Sequence, residues 1–244
     1  MVDSQLRVNH QNCGRWCGGA LDSGGRRSPD RPDGVAVSIS VGEPPVGIRC
    51  RVVETGWVTQ RFTRDELAAA VGRTIPDVIG PDLRVLFCGI NPGLMSALSG
   101  RHFARPGNRF WPALHRAGFT PRQFRPDEQQ ELVALGYGIT NVVARATAGA
   151  AELSADEYRD GGKLLRAKVA EVRPAWLAVV GIGAYRTAFG KPKAVLGRQP
   201  DKLGETGVWV LPNPSGLNAH FTVDTLAAEY AKLRDAVVAE ESAG

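Results

Sequence analysis

Four short apolar runs divide the chain after its first third and predict buried β-strands. They are LRVLFCGI (83–90), YGITNVV (137–143), WLAVVGIG (176–183) and GVWVLP (207–212). Continuous apolar runs of this length are typical of strands that are buried on both faces, as in a parallel sheet between two layers of helices.

Helical periodicity fills most of the chain between and around these runs. Two predicted helices begin with the spacing of a capping box, Thr63 with Glu66 and Ser154 with Glu157. The predicted helices cover 63–71, 108–118, 126–136, 154–174, 183–190 and 222–240. Strands that alternate with helices predict an α/β fold, here a three-layer α/β/α sandwich around a mainly parallel four-stranded sheet.

Residues 1–57 differ from the rest in composition. They are rich in Gly, Ser, Arg, Asp and Pro and have no sustained periodicity, which predicts a disordered N-terminal extension before a folded domain at 58–244. Within this extension, His10, Cys13 and Cys17 do not form a closed set of ligands, so we expect no metal site there.

Length and charge set broad limits on function. The 244 residues, 43% of them hydrophobic, can bury one enzyme-sized core, and a net charge of +5 is compatible with a polyanionic partner without requiring one. Four cysteines are too few for a disulfide scaffold, and Cys88 lies in the best apolar run as a small hydrophobic residue. With no apolar stretch of membrane-spanning length, we expect a cytoplasmic protein, associated with the nucleoid if the source is prokaryotic.

Two of the predicted strands run directly into an Asn-Pro turn. Asn91-Pro92-Gly93 follows the strand at 83–90, and Asn213-Pro214-Ser215-Gly216 follows the strand at 207–212. Active sites of open α/β sheets lie at the carboxyl ends of strands. Either turn alone is explained by the backbone preferences of Asn, Pro and Gly. The common nucleotide-binding, nucleophile-elbow and zinc-binding motifs do not occur in the sequence.

Taken together, GINPGLMSALSGRHFARPGNRFW (89–111) and LPNPSGLNAHF (211–221) resemble the mismatch-specific uracil-DNA glycosylases, a family that includes the thymine-DNA glycosylases. The resemblance extends from about residue 83 to residue 234. It implies a fold of the uracil-DNA glycosylase type and makes 58–244 a catalytic domain. The implied reaction is hydrolysis of the N-glycosidic bond of a mispaired base in double-stranded DNA.

The resemblance assigns Asn91 to the attacking water. An amide can position water but cannot act as a general base, so we expect a slower enzyme than uracil glycosylases that carry Asp at this step. Phe103 corresponds to the aromatic residue on which the flipped pyrimidine stacks, an interaction worth about 1–3 kcal/mol. A phenylalanine of the hydrophobic core is the alternative for Phe103. The resemblance places further base-binding positions at Ile90, Gly93, Ser96, His102, Thr140 and Asn141. His102 is equally compatible with an exposed loop, and Ser96 with a capping or solvent-facing role.

The second motif corresponds to the segment that, in proteins of this family, inserts into the base stack. Leu217 matches the apolar wedge that fills the space of the flipped nucleotide, and Gly216 and Asn218 flank it next to the widowed base. A buried anchor is the alternative for Leu217. Candidate contacts to the DNA backbone are Arg101, Arg105, Arg109, Asn213 and Ser215. For each arginine, a solvated surface position is an equal alternative.

The distribution of lysines bears on the mechanism. The chain has 24 Arg but only six Lys, the first at Lys163, and we expect none of them in or near either motif. A lyase-type glycosylase needs an amine nucleophile, so we expect a monofunctional enzyme that uses water and needs no metal or cofactor. One site that faces a DNA duplex requires only a monomer, which is the expected state. Two alternatives stay open: a related glycosylase that prefers hypoxanthine or single-stranded uracil, and a mismatch-binding protein without catalysis.

Overall fold

A single mixed sheet forms the centre of the fold. The computed structural model describes residues 62–243, so the predicted extension at 1–57 lies outside the described residues. The strands are β1 (Val85–Gly89), β2 (Tyr137–Asn141), β3 (Trp176–Val180), β4 (Gly197–Arg198) and β5 (Gly207–Leu211), in the order β2-β1-β3-β5-β4. The four predicted strands pair in parallel. The predicted count of four is wrong because β4 adds an antiparallel edge of only two residues, too short to leave a pattern.

Seven helices accompany the sheet in the described part of the chain. They are α1 (Arg64–Ala69), α2 (Leu94–Ser99), α3 (Phe110–Arg116), α4 (Glu131–Ala134), α5 (Ala155–Val172), α6 (Ile182–Phe189) and α7 (Val223–Ala243). Both predicted capping boxes are confirmed. Among residues 62–243, no helix has the length and apolarity needed to span a membrane.

Two helical segments differ from the sequence prediction. α2 is an additional helix inside the first motif. The helix predicted at 126–136 is instead a 3-10 turn, Pro126–Glu128, followed by the short α4. Between them, the side chain of Gln129 turns inward, where its Oε1 accepts from the backbone N–H of His102 at 2.8 Å and its Nε2 donates to the carbonyl of Gly100 at 3.2 Å. Contacts with a distant loop thus override the local helical pattern.

Alternating strand residues face two separate cores, which confirms the three-layer architecture. Phe87 packs with residues of α3 and α7, whereas Leu86 and Cys88 pack with residues of α5 and α6. Cys88 is fully buried, and burial raises the pKa of its thiol, so it is a packing residue as predicted.

The parallel strands place the two motifs at the same end of the sheet, where the carboxyl ends of β1 and β5 lie. From β1 the chain passes to β2 on one side and then returns to β3 on the other, so the order reverses next to β1. Crevices at such reversal points are the usual ligand sites of open α/β sheets. Gly89 at the end of β1 lies beside Asn141 at the end of β2.

Helix α5 approaches its neighbours closely because it lacks side chains at Gly161 and Gly162. A Cβ at Gly161 would lie 2.3 Å from the carbonyl oxygen of Val142, and one at Gly162 would lie 2.2 Å from that of Ala188. The helix therefore rests directly on the backbone that follows β2 and on α6.

We expect Gly161→Ala to destabilise the protein, although alanine favours helices, because the added methyl would press against backbone. The expected loss is about 1–3 kcal/mol in the free energy of unfolding, measured by urea denaturation. Gly183→Ala on α6 is the matched control, since nothing lies within 4 Å of its added Cβ. The control should gain up to about 1 kcal/mol. Equal stabilisation by both changes would contradict close packing of α5.

Candidate active site

The side-chain amide of Asn91, directly after β1, is held in one orientation. Its Nδ2 donates to the carbonyl oxygen of Arg145 at 3.0 Å and to Oγ1 of Thr147 at 2.7 Å. A carbonyl oxygen only accepts, so the nitrogen of the amide must face Arg145. Both N–H groups are used in this way, and Oδ1 is left as the acceptor that a bound water requires.

The loop that orients Asn91 is itself anchored. Thr147 is almost fully buried, its hydroxyl donates to the carbonyl of Gly149 at 2.9 Å, and its backbone N–H donates to that of Pro92 at 3.2 Å. Arg145 forms an ion pair with Glu157, and hydrogen bonds from Arg145 and then from Ser154 lower the pKa of that carboxyl to about 2. Sequence reasoning missed Arg145 and Thr147, which lie in an irregular loop without a motif.

Phe103 presents one face of its ring to the core. Its backbone has a φ of 54°, a left-handed conformation that is uncommon for a residue with a side chain and is often found at functional sites. The ring stacks on Phe110 with a centroid distance of 3.9 Å and an interplanar angle of 17°. Since Phe110 covers one face, a planar base could stack only on the other.

His102 and Asn141 form a second oriented pair. Nε2 of His102 lies 3.0 Å from the carbonyl oxygen of Pro76, so this nitrogen carries the hydrogen and Nδ1 is left as an acceptor. Nδ2 of Asn141 donates to that Nδ1 at 3.4 Å. The exposed-loop alternative for His102 is wrong, because only 2% of the residue is exposed. The tautomer of the buried ring therefore sets the orientation of the Asn141 amide.

Gly89 makes room for both groups that flank it. A Cβ at this position would lie 2.6 Å from Oδ1 of Asn141 and 3.3 Å from the Phe103 ring. The first glycine of GINPG is thus needed for close approach of side chains, in addition to any preference of the turn.

Two predicted base-binding hydroxyls have other partners. Ser96 is buried in α2, and its oxygen accepts from the backbone N–H of Ala104 at 3.2 Å. Thr140 is fully buried, donates to Asp77 at 2.8 Å and accepts from Nζ of Lys168 at 2.8 Å. We therefore correct the role of Thr140, whose hydroxyl ties β2 to its surroundings and is not free to contact a base.

Lys168 also modifies the expectation that lysines lie away from the motifs. It is distant in sequence, but α5 brings its ammonium group to the end of β2, where it forms an ion pair with Asp77. An ammonium group engaged by a carboxylate and a hydroxyl is not the free amine that covalent catalysis requires.

The second motif forms a tight loop that presents Leu217 outward. The backbone N–H of Ser215 donates to Oδ1 of Asn213 at 3.0 Å, and Nδ2 of Asn218 donates to the Asn213 carbonyl at 2.9 Å. Leu217 is 77% exposed, which excludes the buried-anchor alternative. The polar side chains of Asn213 and Asn218 thus shape the loop that carries an exposed apolar residue.

Arg109 joins the two motifs from inside the protein. Its guanidinium group donates to the carbonyl of Asn218 at 2.8 Å and also to those of Ser215 and Phe221. Its backbone N–H donates to the carbonyl of Pro214 at 2.9 Å. The prediction of a DNA-backbone contact is therefore wrong for Arg109, which holds the loop of Leu217.

The neighbouring positions differ in how far they are open to solvent. Arg101 is half-buried, and Arg105 is exposed. A Cβ at Gly216 would lie 2.7 Å from the carbonyl oxygen of Gly107, so the two motif loops touch through their backbones. Because Arg105 is exposed, it stays a candidate for a DNA-backbone contact.

A cleft of about 590 Å³ lies between the two motifs at the carboxyl ends of β3 and β5. Ile90 lines it from the first motif, Asn213 and Asn218 from the second, and Gly181 from the end of β3. Within residues 62–243, no group of three or more His, Cys, Asp or Glu side chains could hold a metal ion.

We expect the buried His102 to make stability depend on pH. Burial is the main reason that the pKa of His102 lies below its ordinary value of 6.5, with a smaller lowering by Lys168 opposed by Pro76 and Asp77. Between the lowered pKa and 6.5, only the unfolded chain binds the proton, so the free energy of unfolding should fall as the pH drops below 6.5.

Urea denaturation of the wild type and His102→Gln between pH 5 and 8 measures this effect. The free energy of unfolding should depend less steeply on pH in His102→Gln than in the wild type. The control His220→Gln, at an exposed position, should keep the wild-type dependence. An unchanged slope in His102→Gln would contradict the neutral, oriented ring.

Two comparisons with known proteins found a similar structure and a matching family. A solution NMR structure of a candidate uracil DNA glycosylase from Methanosarcina acetivorans is 19% identical, with a TM-score of 0.46 over 67% of this chain and 99% of that chain. The family model for the uracil DNA glycosylase superfamily matches residues 76–236, about two thirds of the chain including both motifs. The chain therefore belongs to the uracil DNA glycosylase superfamily, and this membership supports a DNA glycosylase activity in base excision repair.

Proposed function

We propose that the protein is a monofunctional DNA glycosylase that hydrolyses the N-glycosidic bond of uracil mispaired with guanine in double-stranded DNA. The observation that carries the proposal is the fixed amide of Asn91, with its acceptor oxygen free at the carboxyl end of β1. Thymine and ethenocytosine opposite guanine are further substrates to test.

Asn91 would position the attacking water without deprotonating it. Its Oδ1 accepts a hydrogen bond from the water, while Arg145 and Thr147 prevent the amide from turning. Because an amide does not take up the proton, departure of the base and stabilisation of the oxocarbenium-like sugar must provide most of the rate. The products are a free base and an abasic site, formed at a modest rate.

Asn141 would read the pyrimidine edge. With Nδ2 directed at His102, its Oδ1 is the atom left to accept from a base. Uracil and thymine carry an N3–H donor, whereas neutral cytosine has an acceptor at that position. The fixed amide therefore favours uracil and thymine over the cytosine of normal DNA.

Phe103 would bind the flipped base, and Leu217 would fill the gap that the base leaves in the duplex. The ring of Phe103, supported from behind by Phe110, offers one face to the extruded base. Leu217 is exposed on a loop braced by Arg109 and could enter the base stack without unfolding the protein. Insertion of an apolar side chain compensates for part of the unstacking.

A panel of labelled substrates tests the activity directly. It contains G:U, G:T, A:U, ethenocytosine and hypoxanthine duplexes and single-stranded uracil, each treated with alkali to cut abasic sites. We expect scission to be fastest for G:U and to require alkali. Binding without scission on every substrate would indicate a mismatch-binding protein instead, and scission without alkali would indicate a lyase.

Substitutions at Asn91 and Thr147 test the positioned water. Asn91→Ala should reduce the single-turnover rate on G:U by at least about a hundredfold while leaving DNA affinity nearly unchanged. Thr147→Val removes one acceptor from the Asn91 amide and should reduce the rate roughly fivefold to tenfold.

Thr206→Val is the matched control for Thr147→Val. Thr206 is also almost fully buried, and its hydroxyl donates to the carbonyl of Pro174 at 2.7 Å, but it lies next to the start of β5, at the opposite ends of the strands. Its substitution should leave the rate unchanged. A wild-type rate in Asn91→Ala would refute the proposed role of Asn91.

Substitution of Leu217 tests the wedge. Leu217→Ala should reduce the rate on G:U duplex roughly tenfold, since insertion would bury less apolar area, and should leave cleavage of single-stranded uracil unchanged. Leu164→Ala on α5 removes an equally bulky side chain that is 71% exposed. The control should behave as wild type, and equal rates of Leu217→Ala and wild type on duplex would exclude the wedge.

A further inference from the structure

A second cavity lies at the end of the sheet opposite the two motifs. It has a volume of about 760 Å³ and is bounded by Arg84 before β1, Tyr137 at the start of β2, the Phe119–Thr120 segment and Arg234 of α7. Ligand sites commonly have volumes of about 300–1,000 Å³. Since the ends of a five-residue strand are about 13 Å apart, this cavity is separate from the end of the sheet that carries the two motifs.

Two residues that line this cavity carry buried polar atoms without a hydrogen-bond partner in the described part of the chain. Among residues 62–243, four buried side-chain nitrogen or oxygen atoms have no hydrogen-bond partner, and two of them, Oγ1 of Thr120 and Nε of Arg234, belong to residues that line it. Thr120 is only 5% exposed. Buried polar groups are nearly always hydrogen-bonded, so these two side chains have donors that a molecule bound in the cavity could satisfy.

Tyr137 adds a third donor. Nη1 of Arg84 donates to its hydroxyl oxygen at 3.2 Å, and because arginine only donates, the phenolic hydrogen is free for another acceptor. Arg84 also forms an ion pair with Glu241. Arg234 pairs with Asp235, whose carboxylate is 67% exposed. Water therefore screens this ion pair more strongly than it would screen a pair between Arg234 and an anion inside the cavity.

The absence of a side chain at Gly118 brings the cation to this wall. Gly118 has a φ of 83°, and a Cβ there would lie 2.8 Å from Nη1 of Arg234. The arginine can therefore lie directly against the turn that leads to Thr120.

We propose that this cavity binds a small molecule through a phosphate group. Nε of Arg234 can only donate, and the hydroxyls of Thr120 and Tyr137 each have a hydrogen to donate. Three donors with one cation match a group that is rich in acceptors and negatively charged. The ligand would bind without touching DNA.

NMR titration of the full chain tests the proposal without DNA, so its outcome is independent of glycosylase activity. Inorganic phosphate, adenosine monophosphate and neutral adenosine are added at constant ionic strength. We expect saturable shifts at the backbone amides of 118–120 and 136–137 and at Nε of Arg234 with the two anions only. Tighter binding of the nucleotide would identify a phosphorylated organic ligand, and equal binding would identify the inorganic ion.

Two variants and one control complete the test. Arg234→Gln should weaken anion binding about tenfold or more, and Thr120→Val about fivefold. Arg159→Gln removes an exposed arginine from α5 and should bind as wild type. The proposal is wrong if shifts do not saturate, if adenosine binds equally well, or if both variants bind as tightly as wild type while remaining folded by thermal unfolding.

Discussion

The hydrogen bond from Asn91 to the carbonyl of Arg145 fixes the direction of the amide on which the proposed chemistry depends. A carbonyl cannot donate, so this one contact decides which atom of Asn91 faces a water. Three neighbouring features hold the loop that carries this carbonyl. They are the ion pair of Arg145 with Glu157, the buried hydroxyl of Thr147 and the hydrogen bond from the backbone N–H of Thr147 to the carbonyl of Pro92. The catalytic turn and the loop at 145–149 therefore form one unit.

Arg109 links the first motif to the second. By donating to three carbonyls of the loop after β5, it links the position of Leu217 to the segment that carries Phe103. The stacking ring and the proposed wedge are thus held relative to each other by a side chain that need not touch DNA. A precise spacing between them is what simultaneous capture of a base and filling of its gap would require.

The sequence was sufficient for the layers of the fold and for the two motif turns, since buried parallel strands and capping boxes leave strong local patterns. The sequence was insufficient where contacts between residues distant in the chain determine the local structure. The inward turn of Gln129 divides a predicted helix, and β4 exists only as a two-residue partner of β5. Within the site, the inward direction of Arg109 and the pairing of Thr140 with Asp77 and Lys168 depend on residues far apart in the chain. Local patterns contain no trace of such contacts.

The buried ring of His102 has a consequence for how the protein could recognise its substrate. Which nitrogen of the ring carries hydrogen is set by the carbonyl of Pro76, a residue on the far side of the ring from Asn141. Under the proposed function, the choice between pyrimidines is therefore encoded in the location of a single hydrogen atom. A shift of the backbone at Pro76 could alter the choice of base with every residue that contacts the base unchanged.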